Sequence, residues 1–250
     1  MELEKGVKRW VVDISAWNPS RDDFSLAMSF LPLHDHPSIT RFVKLEDRKR
    51  ALVSRLLQYA LVHEVLGIPF DEIVIKRTVE GKPYLEYEKA KAGFPNFNFN
   101  ASHHGNYVAI ASEPICLVGL DIASPSIPHK ETVPEFIQNF SSYFSRVEWD
   151  KICNSGPCDE TLKEFYRFNV YTTHNGFTRN KMILLNWHYH VAVARGHPRA
   201  ATENFKKTLN QTAFDKEEYQ LALHLPNPSF VLKTVEEVIP FSLRSGGFPI

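Results

Sequence analysis

The chain has 250 residues, 43% of them hydrophobic, and 29 basic residues balance 29 acidic ones, so the formal net charge is zero. This length suffices to bury a core in one large domain or in two smaller ones. Nucleic-acid-binding proteins usually carry a basic excess or a basic stripe, so the balanced charge argues against nucleic acid as a partner.

Membrane and disulfide-rich classes are also disfavoured. No apolar run approaches the roughly 18 residues of a membrane span, and the opening MELEKGVKRW is charged where a secretory signal is apolar. The three cysteines, Cys116, Cys153 and Cys158, are odd in number and form no CxxC motif. We therefore expect no membrane partner and a reducing, cytosolic compartment.

The N-terminal part predicts a strand followed by a long helix. The segment WVVDI (10–14) is typical of a strand. From about Thr40 to Leu66, apolar residues mostly recur at steps of three or four, which indicates an amphipathic helix ended by Gly67 and Pro69. Its other side forms either an ordinary solvated face or a partner surface, with five basic residues that we expect to be exposed: Lys44, Arg48, Lys49, Arg50 and Arg55.

A small antiparallel β system is predicted between Ile73 and Ser124. Glu80-Gly81 separates two strand-like runs and predicts a hairpin, because glycine tolerates a positive φ. The strand-like runs FNFNAS, YVAIAS and CLVGLDIAS follow at short intervals. Strands of this kind behind one long helix predict an α+β fold.

The rest of the chain predicts helices and one clear strand. FIQNFSSYFSRVEWDKI and ETLKEFYRF are typical of helices, and WHYHVAVARG is typical of a strand. HGNYVAIASEP and HYHVAVARGHP share a His, an aromatic residue, a V-A-hydrophobic-A core and a following Pro. Two related α+β halves are therefore a hypothesis to test.

The stretch FPNFNFNASHHG (94–105) is unusual for a strand. Asparagine is a poor strand former, yet Asn96, Asn98 and Asn100 alternate with phenylalanines. Either the fold needs their hydrogen bonds or a ligand does. In the turn that follows, Ser102 and His103 could donate to an anion together with backbone N–H groups.

Other candidate residues keep two interpretations each. Asp121 ends an apolar run. It could bind Mg²⁺, which often needs only one or two carboxylates when substrate phosphates complete its shell, or it could be a turn residue. Lys76, Arg77 and Lys82 around the hairpin could bind phosphates or merely keep the hairpin soluble. The sequence contains no GxSxG motif, no zinc-ligand spacing and no glycine-rich phosphate loop.

Three motifs together resemble a known family. KRTVEGKP (76–83), FPNFNFNASHHG (94–105) and VGLDI (118–122), in this order and spacing, are similar to the 4′-phosphopantetheinyl transferases, in particular the larger pseudo-dimeric kind of eukaryotes. The similarity runs from about Trp10 to Tyr166. It implies an α+β pseudo-dimer, with halves at residues 1–115 and 116–250, and we expect a monomer.

The resemblance implies transfer of the phosphopantetheine arm of coenzyme A to a serine of an acyl or peptidyl carrier protein, with Mg²⁺. By resemblance, Asp121 would be the metal ligand and the catalytic carboxylate, and the amide-rich strand face would be a pocket floor. An acidic carrier protein would be steered by the basic face of the first long helix. The residues implied for coenzyme A are Arg77 and Lys82 at the phosphates, Ser102 and His103 at the phosphate end of the nucleotide, and Asn100 in the turn that presents them.

The sequence departs from the family after FYR (165–167). There the family carries a W-x-x-K-E helix, whose Glu is a metal ligand and base, but this chain continues with FNVYTTHNGFTRNKMILLN, which has little helical periodicity. Glu164 precedes FYR and is in the wrong register to substitute. We therefore expect a second half that is incomplete or rearranged after about residue 168. In one alternative, the truncation leaves apolar surface uncovered, the chain folds poorly, and the strand WHYHVAVA lacks neighbours. The chain would be a transferase, or a non-catalytic protein that binds coenzyme A or a carrier.

Overall fold

The computed structural model describes residues 3–86, 94–124, 131–172, 177–186, 189–210 and 216–239, and gives the backbone alone at 143, 167–172, 177–186 and 216. The strands within these ranges are β1 (Lys8–Asp13), β2 (Ile75–Arg77), β3 (Pro83–Leu85), β4 (Asn98–His104), β5 (Tyr107–Glu113), β6 (Leu117–Ala123), β7 (Phe177–Asn186), β8 (Tyr189–Gly196) and β9 (Val231–Lys233). The helices are α1 (Arg21–Ser29), α2 (His36–Thr40), α3 (Leu45–Leu66), α4 (Val133–Gln138), α5 (Arg146–Cys153), α6 (Cys158–Thr172), α7 (Glu203–Lys206), α8 (Lys216–His224) and α9 (Val235–Val238). The fold is α+β, as predicted.

The two main sheets share one strand order. The first sheet is ordered β4-β5-β1-β9 and the second β6-β8-β7, while β2 and β3 form a separate hairpin. In each sheet the second strand of a hairpin lies in the middle, antiparallel to both of its neighbours. This common order is what two related halves predict. β9 is an additional strand that pairs parallel to β1.

The expectation that the second half is incomplete is not confirmed. The alternative in which WHYHVAVA lacks neighbours is wrong, because β8 lies between β6 and β7. Two more strands, β7 and β9, lie in the region where one was predicted. The helix that contains FYR also continues to Thr172 instead of losing helical character. The junction after FYR includes residues 173–176, which lie outside the described residues.

The long helix begins later than its apolar pattern predicted. The pattern starts at about Thr40, which is the last residue of α2, whereas α3 starts only at Leu45 and ends at Gly67, which has a φ of +69°. The helical stretch predicted around residues 136–152 is likewise interrupted between α4 and α5. There, Ser145 caps α5 by accepting a hydrogen bond from the N–H of Glu148, an arrangement that starts a new helix. None of the described helices is long and apolar enough to cross a membrane.

The predicted exposed basic face of α3 is wrong for three of its five residues, whereas Lys44 is exposed as predicted. Lys49 is 5% exposed, and the side chain of Arg55 is 11% exposed and pairs with Asp35. Arg50 donates to the carbonyl oxygen of Gly105 at 2.7 Å. Buried or bonded to the protein, these cations cannot form the exposed steering surface that the sequence suggested.

The core consists of packed layers of helix and sheet. The apolar face of α3 packs on one face of the first sheet, where Trp10, Val12 and Phe99 are buried. The opposite face of that sheet packs on the second sheet, as Val11 contacts the cluster that contains Leu120. α6 contacts β6 and β8 of the second sheet. This non-directional apolar burial holds the two sheets face to face.

A buried ion cluster also joins the two sheets. Glu113 of β5 accepts hydrogen bonds from Arg9 of β1 and, at 2.7 Å, from Arg195 of β8. All three side chains are at most 1% exposed. Arg195 also donates to the carbonyl oxygens of Leu225 at 2.8 Å and Pro226 at 2.6 Å. Burying two guanidinium groups is tolerable only because this carboxylate and these carbonyls compensate them.

Replacing Glu113 should therefore cost much more than replacing an exposed partner. Glu113→Gln leaves two buried cations without their anion, and we expect the free energy of unfolding in urea to fall by about 3–5 kcal/mol. Glu64→Gln is the matched control, because Glu64 is 44% exposed and pairs with Lys8 at 2.9 Å; there we expect less than about 1 kcal/mol. Similar small losses in both variants would contradict the proposed importance of the buried cluster.

Candidate functional site

Two of the three alternating asparagines serve the fold. Asn96 donates from Nδ2 to the carbonyl oxygen of Ile115 at 2.9 Å, and Asn98 donates to that of Cys116 at 2.8 Å. Asn98 also accepts from the N–H of Val118 at 3.0 Å. Both amides are buried and satisfy the backbone that connects β5 to β6. The expectation that they floor a ligand pocket is therefore wrong for Asn96 and Asn98.

The hydrogen bonds between side chains of β4 and the backbone of β6 form a polar seam, and Ser102 extends this seam to Asp121. The N–H of Ile122 donates to Ser102 Oγ at 3.2 Å, and Ser102 Oγ donates to Asp121 Oδ1 at 3.0 Å. β6 is the edge strand of its sheet, so the N–H groups on its outer side need partners from elsewhere. Side chains of β4 provide these partners at both Val118 and Ile122, and the seam holds Asp121 beside β4.

Asp121 is a half-buried carboxylate whose charge is only partly compensated. Burial raises its pKa, against the hydrogen bonds from Ser102 and the N–H of Ile122 and the nearby His104, which lower it. Within the described part of the chain, the hydrogen bonds to Asp121 go to Oδ1, so Oδ2 is the atom that could bind a metal. A cation there would offset the cost of burying the charge.

In the described part of the chain, Asp121 does not belong to a cluster of three or more metal-binding side chains. Among the described residues there is no group of three or more His, Cys, Asp or Glu that could hold a metal ion. Glu164 lies half-buried in α6, and the expectation that it does not substitute for the missing glutamate stays a prediction. A hard ion such as Mg²⁺ would thus need oxygen ligands from a substrate as well as from Asp121.

Three of the residues that the sequence singled out line one cavity of about 560 Å³: Arg77, Lys82 and Asn100. Its walls are the β2–β3 hairpin, β4, the start of β6 and residues 200–205. Asn100 and Ser102 lie on the same face of β4, and Leu117 and Asp121 lie on the same face of β6, because alternate residues of a strand share a face. The cavity and Asp121 are therefore on one seam.

The hairpin forms as predicted and positions the first two of these residues. Gly81 has a φ of +84°, and the N–H of Thr78 donates to the carbonyl oxygen of Lys82 at 3.0 Å. Lys82 Nζ lies 4.1 Å from the centre of the Phe205 ring and 3.3 Å from the carbonyl oxygen of Val118. Burial lowers the pKa of Lys82 to about 8. These two partners of the Lys82 ammonium, a carbonyl oxygen and an aromatic ring, are uncharged. Lys82 is therefore suited to bind an anion.

Arg77 carries further positive charge at the same cavity. Its pKa is lowered by burial and by the nearby Arg55 and Arg41, against the opposite effect of Asp35. Asp35 is already engaged, because it pairs with Arg55 at 3.4 Å and accepts from the Tyr59 hydroxyl at 2.9 Å. Three guanidinium groups near one committed carboxylate make this wall electropositive.

The structure does not bring Ser102 and His103 together. His103 shares a face of β4 with the buried Phe99 but is itself exposed near the end of the strand. Partial desolvation and the nearby Arg50 lower its pKa. The imidazole on the Ser102 face is His104, which interacts electrostatically with Asp121. Phosphate binding by His103 stays a prediction.

Two residues that contribute to the site, His104 and Phe205, were not predicted from the sequence. His104 could have been found from strand alternation, because it is two residues beyond Ser102. Phe205 is more than a hundred residues from the hairpin, and no local pattern in the sequence indicates their contact. The turn after β4 was predicted correctly. Gly105 in this turn has a φ of +55°, and a Cβ there would overlap the Tyr189 hydroxyl.

Asp121 should lower the stability of the fold at neutral pH. Because its pKa is raised in the folded state, ionised Asp121 destabilises the fold above that pKa. Asp121→Asn keeps an oxygen acceptor for Ser102 and removes the charge, so we expect a higher free energy of unfolding than wild type at pH 7. Below the ordinary value of 3.8 the difference should vanish, because Asp121 is protonated in both states.

Urea unfolding across this pH range measures the effect. Asp121→Ala is the matched control, because it loses the acceptor for Ser102 and Ile122 and should show no gain. An Asp121→Asn variant no more stable than wild type at pH 7 would contradict the inferred cost of the buried charge.

Comparisons with known proteins show which family the chain is similar to. Residues 15–115 match the family model described as 4′-phosphopantetheinyl transferase, N-terminal. The chain is 39% identical over 159 residues to the L-aminoadipate-semialdehyde dehydrogenase-phosphopantetheinyl transferase of Mus musculus, and 37% identical over 159 residues to that of Homo sapiens. Each match covers 64% of this chain and 51% of the relative.

A more distant relative is the 4′-phosphopantetheinyl transferase psf-1 of Bacillus pumilus, 26% identical over 152 residues, which are 60% of this chain and 57% of that protein. The chain spans about half the length of the curated relatives that it matches. Through the region that these matches cover, the chain is similar to 4′-phosphopantetheinyl transferases.

Proposed function

We propose that this protein transfers the 4′-phosphopantetheine arm of coenzyme A to a serine of an acyl or peptidyl carrier protein. The observation that carries the proposal is the shared cavity of Arg77, Lys82 and Asn100, which lies on the same seam as Asp121. Cations at one end and a carboxylate at the other suit a ligand with both nucleotide phosphates and a metal-bound pyrophosphate.

The cavity residues would hold the nucleotide end of coenzyme A. The guanidinium of Arg77 already donates to the carbonyl oxygen of Gly81 at 2.6 Å, which fixes its direction and leaves other donors for phosphate oxygens. The ammonium of Lys82 would add a point charge. Asn100 would supply neutral hydrogen bonds on the β4 side, where a further buried charge would be costly.

Asp121 fits a magnesium ion that is shared with the substrate. Ser102 holds Oδ1, so the carboxylate is oriented before the metal binds. The ion would neutralise negative charge on the pyrophosphate as its P–O bond breaks. Ser102 thereby acts as a positioning residue for Asp121, and its hydroxyl would contact the ligand only if it released that bond.

A second function, a non-catalytic coenzyme A-binding or carrier-binding protein, has one observation in its favour. Among the described residues, Asp121 is not part of a cluster of three or more metal-binding side chains, and a general base contributes roughly 10²- to 10⁴-fold to such reactions. Glu164 is not expected to substitute for the missing base, because it precedes FYR and is in the wrong register. Both functions share the coenzyme A site and differ in turnover.

We further infer a cytosolic monomer whose thiols are reduced. Cys116 is buried, and Cys153 and Cys158 are exposed, and all three are free. Burial raises the pKa of Cys116 to about 12, so this thiol stays protonated and unreactive at neutral pH.

Coenzyme A binding tests the site that both functions share. Lys82→Ala removes a cation from the cavity, and we expect calorimetry at pH 7 to show about tenfold weaker binding, as for the loss of a charged hydrogen bond of about 1.5 kcal/mol. The matched control is Lys76→Ala on the same hairpin, because Lys76 is 51% exposed and pairs with Glu86 at 2.5 Å. Equal affinities for the two variants, or no binding by wild type, would overturn the proposal.

Turnover separates the enzyme from the binding protein. Wild type should label an apo carrier protein with fluorescent coenzyme A when Mg²⁺ is present, and EDTA or Asp121→Ala should abolish the labelling. Glu164→Gln should lower the rate at least 100-fold if Glu164 serves as base. Coenzyme A binding without labelling, at micromolar protein and with saturating Mg²⁺, would exclude the transferase and leave the binding protein.

A further inference from the structure

A segment far along the chain closes the cavity. Residues 200–202 and Phe205 line the wall opposite β4. Asn204 donates from Nδ2 to Glu80 Oε1 at 2.9 Å, which ties this segment to the hairpin tip. The cavity is therefore assembled from three distant parts of the sequence, and the motif residues of the hairpin form only one of its walls.

Phe205 is the residue of this segment that meets the cation of the hairpin. The centre of its ring lies 4.1 Å from Lys82 Nζ, within the range in which an aromatic face attracts an ammonium. The ring is 3% exposed and packs with Leu117, Leu209 and Tyr84. This packing fixes the position of the Phe205 ring. The contact therefore restricts the side chain of Lys82 rather than the ring.

We propose that Phe205 is a positioning residue for Lys82: its ring, together with the carbonyl oxygen of Val118, holds the ammonium at the cavity wall, where an anionic ligand can reach it. A free lysine side chain has four rotatable bonds and loses considerable entropy when it is immobilised. Phe205 imposes that restriction before the ligand arrives, which favours binding.

The arrangement also explains how Lys82 can keep its charge although its side chain is partly buried. Burial lowers its pKa to about 8, and the ring and the carbonyl stabilise the charged form against this cost. The charged groups on the surrounding elements are Arg77 and Glu80 on the hairpin, Asp121 on β6, and Glu203 and Lys206 on α7. Glu203 and Lys206 pair with each other at 2.5 Å, and Glu80 is held by Asn204.

The first test needs no ligand. The rate at which acetic anhydride modifies Lys82, followed by mass spectrometry across pH 6 to 11, reports the midpoint of its deprotonation. Phe205→Leu keeps an apolar side chain in the packing and removes the aromatic face, so the midpoint should fall by roughly half a pH unit or more. Lys76, on the outside of the hairpin, should not change. An unchanged Lys82 midpoint in a folded Phe205→Leu protein would overturn the proposal.

The second test uses coenzyme A and rests on the proposed function. At pH 7, Phe205→Leu should weaken binding roughly two- to fivefold in the wild-type background and should have no effect in a Lys82→Ala background. A purely structural role of Phe205 would weaken binding equally in both backgrounds, and that result would overturn the proposal. If wild type does not bind coenzyme A, the proposed function fails, and the ligand-free labelling alone decides the role of Phe205.

Discussion

The polar seam between β4 and β6 is the constraint on which the rest of the site depends. β6 begins the second sheet at its edge, and its outer N–H groups would be buried without partners against β4. Asn98 and Ser102 satisfy two of them, at Val118 and Ile122. Both pairs are separated by twenty residues, so β4 and β6 keep one register along the seam. That register decides where Asp121 lies relative to the cavity.

The electrostatic design of the site follows from its burial. On one side, positive charges accumulate around Arg77 with a single committed carboxylate, Asp35. On the other side, Asp121 is a half-buried anion whose compensation comes from neutral donors. The positive charges around Arg77 and the negative charge of Asp121 do not neutralise each other. Without a ligand, burying each of these charges lowers the free energy of unfolding. Sites that keep such a cost are typical of ligand binding, because the ligand brings the missing charges.

Features that depend on neighbouring residues were predicted well. Gly81 in a hairpin and Gly67 at the end of a helix follow from the conformational freedom of glycine, and both were placed correctly. The basic residues of α3 were not, because charge along a helix does not reveal which side chains find a carbonyl or a carboxylate in another element. The asparagines of β4 were ambiguous for the same reason: their partners are backbone groups about twenty residues away.

The sequence by itself determined the α+β class, the hairpin with its cations, and the three motifs that carry the family resemblance, because each of these depends on residues within a few positions of one another. Only the tertiary structure decided which residues meet. It directed Asn96 and Asn98 to backbone carbonyls and brought Ser102 to Asp121. It also put His103 and His104 on opposite faces of one strand and brought Lys82 to the ring of Phe205. Such contacts depend on how sheets pack and which strand edges need partners, and that information is distributed over the whole chain.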